Sequence, residues 1–177
     1  YFQSSLFTIA RRRILWLLIL VFANGLTTKV IAMNDQILKE IVLLAAFIPL
    51  LIGTGGNVGA QSSTVVIRGL STQKLKSLGA IKAIVKEAIT GALLGVLMML
   101  VVFPFAWWQG EGPLIASAVG ISLISITSLA ATTGAILPLL FDKMKLDPAL
   151  MSSPFITTVT DIAGVFIYLS TAKWLLT

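Results

Sequence analysis

The chain contains no cysteine and no histidine. Without cysteine it can form neither a disulfide nor a thiolate metal centre. Without histidine it lacks the commonest protein ligand for zinc, copper and iron, and the usual general base near neutral pH. Charge is also scarce. Asp, Glu, Lys and Arg together make up 11% of the 177 residues, against about 25% in a soluble domain. Such a chain cannot cover a water-facing surface. Hydrophobic residues make up 57%, and they are gathered in long runs. The fold class these features predict is an all-α integral membrane protein with little soluble mass.

A membrane span requires about 20 predominantly apolar residues. Five stretches qualify: Ile14 to Met33, Ile41 to Ile67, Ala83 to Trp108, Leu114 to Phe141, and Leu150 to Leu176. No long polar linker separates them, so residues 6–177 read as one membrane domain. Residues 1–5, Tyr1-Phe2-Gln3-Ser4-Ser5, resemble the scar of a protease-cleavable tag and stand outside the fold. The positive-inside rule sets the orientation. A cytoplasmic N-terminus places Arg11, Arg12, Arg13, Arg68, Lys74, Lys76, Lys82, Lys86, Lys143 and Lys145 inside, and only Lys29, Lys39 and Lys173 outside. The C-terminus is then extracytoplasmic. This asymmetry accounts for the net charge of +6, and no basic face with interleaved aromatics points to nucleic acid. Trp107, Trp108 and Trp174 close spans three and five as interfacial anchors. The segment Ser71 to Lys86 sets Leu75, Leu78, Ile81, Ile84 and Val85 among lysines. It reads as an amphipathic helix along the inner membrane surface, or as a docking site for a soluble domain.

Span two carries Pro49-Leu-Leu-Ile-Gly53-Thr-Gly55-Gly56-Asn57-Val-Gly59-Ala-Gln61. Glycines cost a helix about 1 kcal/mol each relative to alanine. Two readings follow. Gly55 and Gly59 could be a small-residue packing motif, or the helix could be loosened so that its backbone lines a pore. Asn57 and Gln61, one turn apart, can share a face. Gly91 and Gly95 in span three read as a packing motif. The Ser- and Thr-rich run Ser122 to Thr133 in span four reads as hydroxyls bonding back to their own helix.

Asp161 lies in the middle of span five, in a run with no other charge from Pro148 to Thr171. A carboxylate at that depth costs at least a few kcal/mol and usually faces a bundle interior or a water-filled path. It could be a structural contact, a proton-relay group or a ligand for a permeating cation. Ser153, Thr157, Asp161 and Gly164 follow i, i+4, i+8, i+11, a polar or small stripe on one helix face. Oxygen ligands alone suit magnesium, calcium or manganese. Magnesium keeps most of its water and binds through one or two carboxylates. Two copies of Asp161 across a two-fold axis would supply them, which favours a homodimer. No enzyme is expected. An intramembrane aspartyl protease needs a second deep carboxylate and Glu87 lies too near the inner surface, while a Ser-His protease lacks its histidine.

The motifs Pro49…Gly55-Gly56-Asn57-Val-Gly59-Ala-Gln61 and Asp147-Pro148…Pro154-Phe-Ile-Thr-Thr…Asp161 closely resemble the membrane domain of the MgtE family of magnesium channels. The resemblance covers essentially the whole chain after residue 5. It implies a two-fold homodimer in the plasma (inner) membrane of a prokaryote, with a pore at the dimer interface lined by spans two and five. It places the family's pore aspartate at Asp161 and pore-facing positions at Thr157 and Ser153, with Asn57, Gly56 and Gln61 opposite them. Ala60 stands where the family often has a second asparagine. The implied function is a magnesium-selective channel, with a proton- or sodium-coupled divalent carrier as the alternative. Magnesium is the transported and pore-bound ion. The resemblance also implies cytosolic magnesium-sensing domains ahead of the first span. They are absent from this chain, so closure through them is expected to be lost.

Overall fold

The computed structural model describes residues 6–72, 79–109 and 112–176. Among these the fold is all-helical: α1 (Leu6–Met33), α2 (Asp35–Glu40), α3 (Leu43–Ser71), α4 (Ala80–Trp108), α5 (Gly112–Lys143) and α6 (Pro148–Leu176). Four stretches are long and apolar enough to cross a membrane: Leu43–Ser71, Ala80–Trp108, Gly112–Lys143 and Ser152–Leu176. In α1 the described apolar stretch is the shorter Leu20–Met33. The chain is a multi-pass membrane protein.

Four of the five expected spans have a counterpart of membrane length, with shifted ends, and the first falls on α1. The sequence reading has no counterpart to α2, a single short helix between α1 and α3. Asn34 stops α1, its side-chain amide donating to the Val30 carbonyl at 2.8 Å. Asp35, Gln36, Lys39 and Glu40 then make a polar turn that cannot sit in hydrocarbon, with Asp35 and Lys39 paired one turn apart. Ile41 leaves the helical region (φ −130°) and α3 begins two residues later.

The inner-surface helix expected over Ser71 to Lys86 lies in part outside the described residues. The α3 helix ends at Ser71. Residues 73–78, with Lys74 and Lys76, lie outside the described residues. Gly79 then adopts φ +81°, a left-handed conformation open to glycine, and Ala80 to Lys86 form the first turns of α4.

Helix α5 is the centre of the bundle and packs against α3, α4 and α6. It is also the most buried of the spans. Its contacts fix the helix directions. Gly55 of α3 faces Ile126 and Gly59 faces Ala130, so α3 and α5 run parallel. Gly91 and Gly95 of α4 face Thr127 and Ile124, so α4 runs antiparallel to α5. Phe155 of α6 stacks on Phe141 with ring centroids 5.6 Å apart, while Gly164 lies against Ile126, which makes α6 antiparallel as well. Helix α1 packs on α6.

The core is graded along the bundle. Toward the ends of α4 and α6 it is built from large side chains, including Leu44, Phe47, Leu51, Leu123, Ile126 and Tyr168. Tyr168 is fully buried and donates its hydroxyl to the Leu44 carbonyl at 3.0 Å, tying α6 to the start of α3. Toward the other end the core is Val58, Ala130 and Ala131, with glycines bringing backbones together. A Cβ on Gly91 would lie 2.5 Å from the Thr127 carbonyl oxygen, and one on Gly59 2.5 Å from Ile156 Cγ2. Membrane helices associate through such small-residue contacts because lipid offers no hydrophobic drive between them.

The glycine-rich segment of α3 does not loosen. It stays α-helical from Leu43 to Ser71, through all four glycines between Gly53 and Gly59. Opening it in an apolar medium would strand backbone N–H and C=O groups. Gly55 and Gly59 are filled instead by Ile126, Ile156 and Ala130 of the neighbouring helices.

Candidate functional site

The helix that carries Asp161 starts from a defined cap. The Asp147 carboxylate accepts the backbone N–H of Ala149 at 2.9 Å, and Pro148 occupies the first turn, where a missing N–H costs nothing. From there Ser153 is exposed, and Thr157 and Asp161 are half-buried, one turn apart along one face. Thr157 donates its hydroxyl to the Pro154 carbonyl at 3.0 Å, within its own helix. Gly164 does not continue this stripe. It is buried and faces α5, where a Cβ built on it would lie 3.7 Å from Ile126 Cγ2.

Helix α3 crosses α6 antiparallel at this level. A Cβ on Gly56 would lie 3.8 Å from Thr157 Cγ2, and one on Gly55 3.7 Å from Thr160 Cβ. Gly56 and Thr157 therefore sit at the seam between the two helices. Asn57 and Gln61 lie beside it on α3 and are both exposed. Gly56 and Thr157 thus meet at the α3–α6 seam, with Asn57 and Gln61 exposed on α3 and Ser153 exposed and Asp161 half-buried on α6.

The character of that side differs from the rest of the surface. On α4 the exposed positions are apolar: Leu93, Leu97, Leu100 and Val101 are 48–67% exposed. That is the surface hydrocarbon solvates. On the α3–α6 side, amides, hydroxyls and a carboxylate are open at the same depth. Among the described residues, no side chain donates to the Asp161 carboxylate, and the Asn57 and Gln61 amides have no hydrogen-bond partner. A polar group left in hydrocarbon without a partner costs several kcal/mol. Water, an ion or a second protein surface must meet this face. The described residues also hold no group of three or more carboxylates that could cage a bare ion.

Two polar links near the other end of α3 were not legible in the sequence. Ser62, only 4% exposed, donates to Glu87 Oε2 of α4 at 2.7 Å. Ser128 of α5 donates to the Ala88 carbonyl at 3.2 Å. Other hydroxyls of the Ser122 to Thr133 run do bond back to their own helix, as with Thr127 to Leu123 and Thr132 to Ser128. Ser122 is buried without a partner among the described residues.

The family model for MgtE, described as a divalent cation transporter, matches residues 48–171, a stretch that includes every residue of this face. The chain is 38% identical over 164 residues to the magnesium transporter MgtE of Thermus thermophilus, and 35% identical over 172 residues to that of Bacillus subtilis. These alignments cover 93% and 97% of this chain but 36% and 38% of the relatives, so the chain spans well under half of their length. A third, from Enterococcus faecalis, is 35% identical over 168 residues. With the polar face inside the matched segment, the chain belongs to the MgtE family, whose members are divalent cation transporters rather than enzymes.

Proposed function

We propose that residues 6–177 form one five-span membrane domain. In this reading, two copies pair across their α3–α6 faces and enclose a pore for hydrated magnesium ions. The observation that carries it is the open polar face: Asn57, Gln61, Ser153, Thr157 and Asp161 exposed or half-buried at bilayer depth, with no donor to the carboxylate among the described residues. A two-fold axis beside this face covers the unpartnered groups and sets two Asp161 carboxylates around one path. Their two negative charges match a divalent cation. Magnesium is the assigned ion because it releases water reluctantly and is gripped through its hydration shell, and because the matched relatives carry magnesium in their names.

With the N-terminus cytoplasmic, in a prokaryotic plasma membrane, the potential drives entry. A divalent ion gains about 4.6 kcal/mol per 100 mV of inside-negative potential, so no further energy source is required. The test is Asp161→Asn in proteoliposomes and planar bilayers. The wild type is expected to give magnesium flux and unitary currents, and Asp161→Asn to lose tight divalent binding and most of the conductance. Normal magnesium conduction by the variant would end this reading. Flux that depends on a proton or sodium gradient, without unitary currents, would replace the channel by a carrier.

A further inference from the structure

At the end of the bundle that carries Trp107, Trp108 and Trp174, the loop between α1 and α3 meets the end of α6. There the structure holds a cavity of about 280 Å³ lined by Met33, Asn34, Gln36, Ile37, Glu40 and Lys173. A single water requires about 10–15 Å³ of cavity, so this one admits a small polar molecule. Its walls are mixed in a specific way. Glu40 supplies a carboxylate, held by the Gln36 amide at 3.1 Å. Asn34 uses its N–H on the Val30 carbonyl. The amide oxygens of Asn34 and Gln36 have no donor among the described residues. Lys173 supplies the cation.

The formal charge of this lining is zero. A free dication would be repelled by Lys173, and a free anion by Glu40. A zwitterion uses both. The acceptors outnumber the donors, which suits an ammonium that carries N–H groups. The position is that of lipid headgroups, because Trp174, next to Lys173 and 78% exposed, belongs to the aromatic belt. Below the cavity, Met33, Leu26 and Phe22, at i, i−7 and i−11 on α1, are 77%, 54% and 81% exposed and make an apolar stripe down the helix, with the exposed Lys29 at i−4 on the same face.

From this we infer that the cavity binds the headgroup of a phosphatidylethanolamine molecule. Its phosphate meets Lys173, its primary ammonium meets Glu40 and the Asn34 and Gln36 oxygens, and its acyl chains lie along the Met33–Leu26–Phe22 stripe. The inference is separate from the ion pathway and does not rest on it. Phosphatidylcholine presents a trimethylammonium with no N–H and is the natural control.

The experiment is lipid titration of the delipidated protein followed by native mass spectrometry. The wild type is expected to bind phosphatidylethanolamine at least about tenfold more tightly than phosphatidylcholine or phosphatidylglycerol. Glu40→Gln should erase the preference over phosphatidylcholine. Lys173→Gln should weaken all phospholipids, and Lys173→Arg should restore them. Lys39→Gln, whose side chain pairs with Asp35 and does not line the cavity, should change nothing. Equal binding of the three lipids, or a preference that survives Glu40→Gln and Lys173→Gln, would overturn the assignment. So would displacement of the lipid by millimolar magnesium or inorganic phosphate, which would make this a plain ion site. Tailless phosphoethanolamine binding as tightly as the lipid would overturn the acyl-chain part.

Discussion

Replacing Gly134 by alanine tests whether α3 is positioned by glycine contacts. A Cβ at Gly134 would run into the carbonyl oxygen of Gly59, closer than real side chains approach, and would lie 3.1 Å from Ser62 Cβ and from the Gly59 carbonyl carbon. None of these atoms is the end of a flexible side chain, so α3 must move as a body. Overpacking of this kind costs about 1–3 kcal/mol. Alanine returns up to about 1 kcal/mol of helix propensity. The net expectation is a loss of up to about 2 kcal/mol. Gly25→Ala is the matched control: nothing lies within 4 Å of its Cβ position, so it should gain about 0.5–1 kcal/mol. Denaturant titration in micelles, followed by the fluorescence of the four tryptophans, should therefore separate the variants by about 2 kcal/mol. The shifted turn also carries Gln61, so magnesium flux should fall with Gly134→Ala and not with Gly25→Ala. If Gly134→Ala is as stable as Gly25→Ala, the close α3–α5 contact is not what holds the bundle.

Other substitutions probe the remaining contacts. Glu87→Leu strands the buried Ser62 hydroxyl and should cost about 1–3 kcal/mol, whereas Glu87→Gln keeps an acceptor and should cost less than about 1 kcal/mol in the same titration. Gly56→Ala places its methyl 3.8 Å from Thr157 Cγ2, an ordinary contact. It should leave stability within about 0.5 kcal/mol of wild type while lowering flux, because the methyl enters the seam between the two polar helices. Unchanged flux in Gly56→Ala would remove Gly56 from the pathway.

Four of the five expected spans were legible because apolar runs of membrane length leave few alternatives, and the alignment of Ser153, Thr157 and Asp161 along one side of α6 because a helix puts every fourth residue there. What the sequence withheld depends on neighbours. The end of the stripe was misplaced because Ile126, distant in sequence, covers Gly164. The loosened helix expected at Gly53 to Gly59 rested on intrinsic propensity. That term is outweighed once Ile126, Ile156 and Ala130 fill the glycine notches. Glu87 looked like a charge near the membrane surface, and only the α3–α4 pairing shows that it receives a buried serine. The α2 helix was missed because six residues are too few for a periodic pattern to register.

The stretch from Gly55 to Ser62 does two jobs on two faces of one helix. Gly55, Gly59 and Ser62 turn inward and are buried against α4, α5 and α6, while Asn57 and Gln61 turn outward and are exposed. The two faces cannot be set independently. In a loosened segment each amide would choose its own direction. In a regular helix locked by backbone contact at Gly59 and Gly134, the direction of Asn57 and Gln61 follows from the packing on the opposite side. On α6 the same logic holds: Ile156 and Thr160 are buried and Thr157 and Asp161 are on the open side. Ile156 fills the Gly59 notch, so the contact that seats α6 on α3 also fixes where the Asp161 carboxylate points. For a hydrated ion held through its water, direction matters more than reach, since the ligands must meet a shell of fixed size. Glycines in a membrane helix are then the means by which a small-residue core aims polar side chains that have no partner of their own.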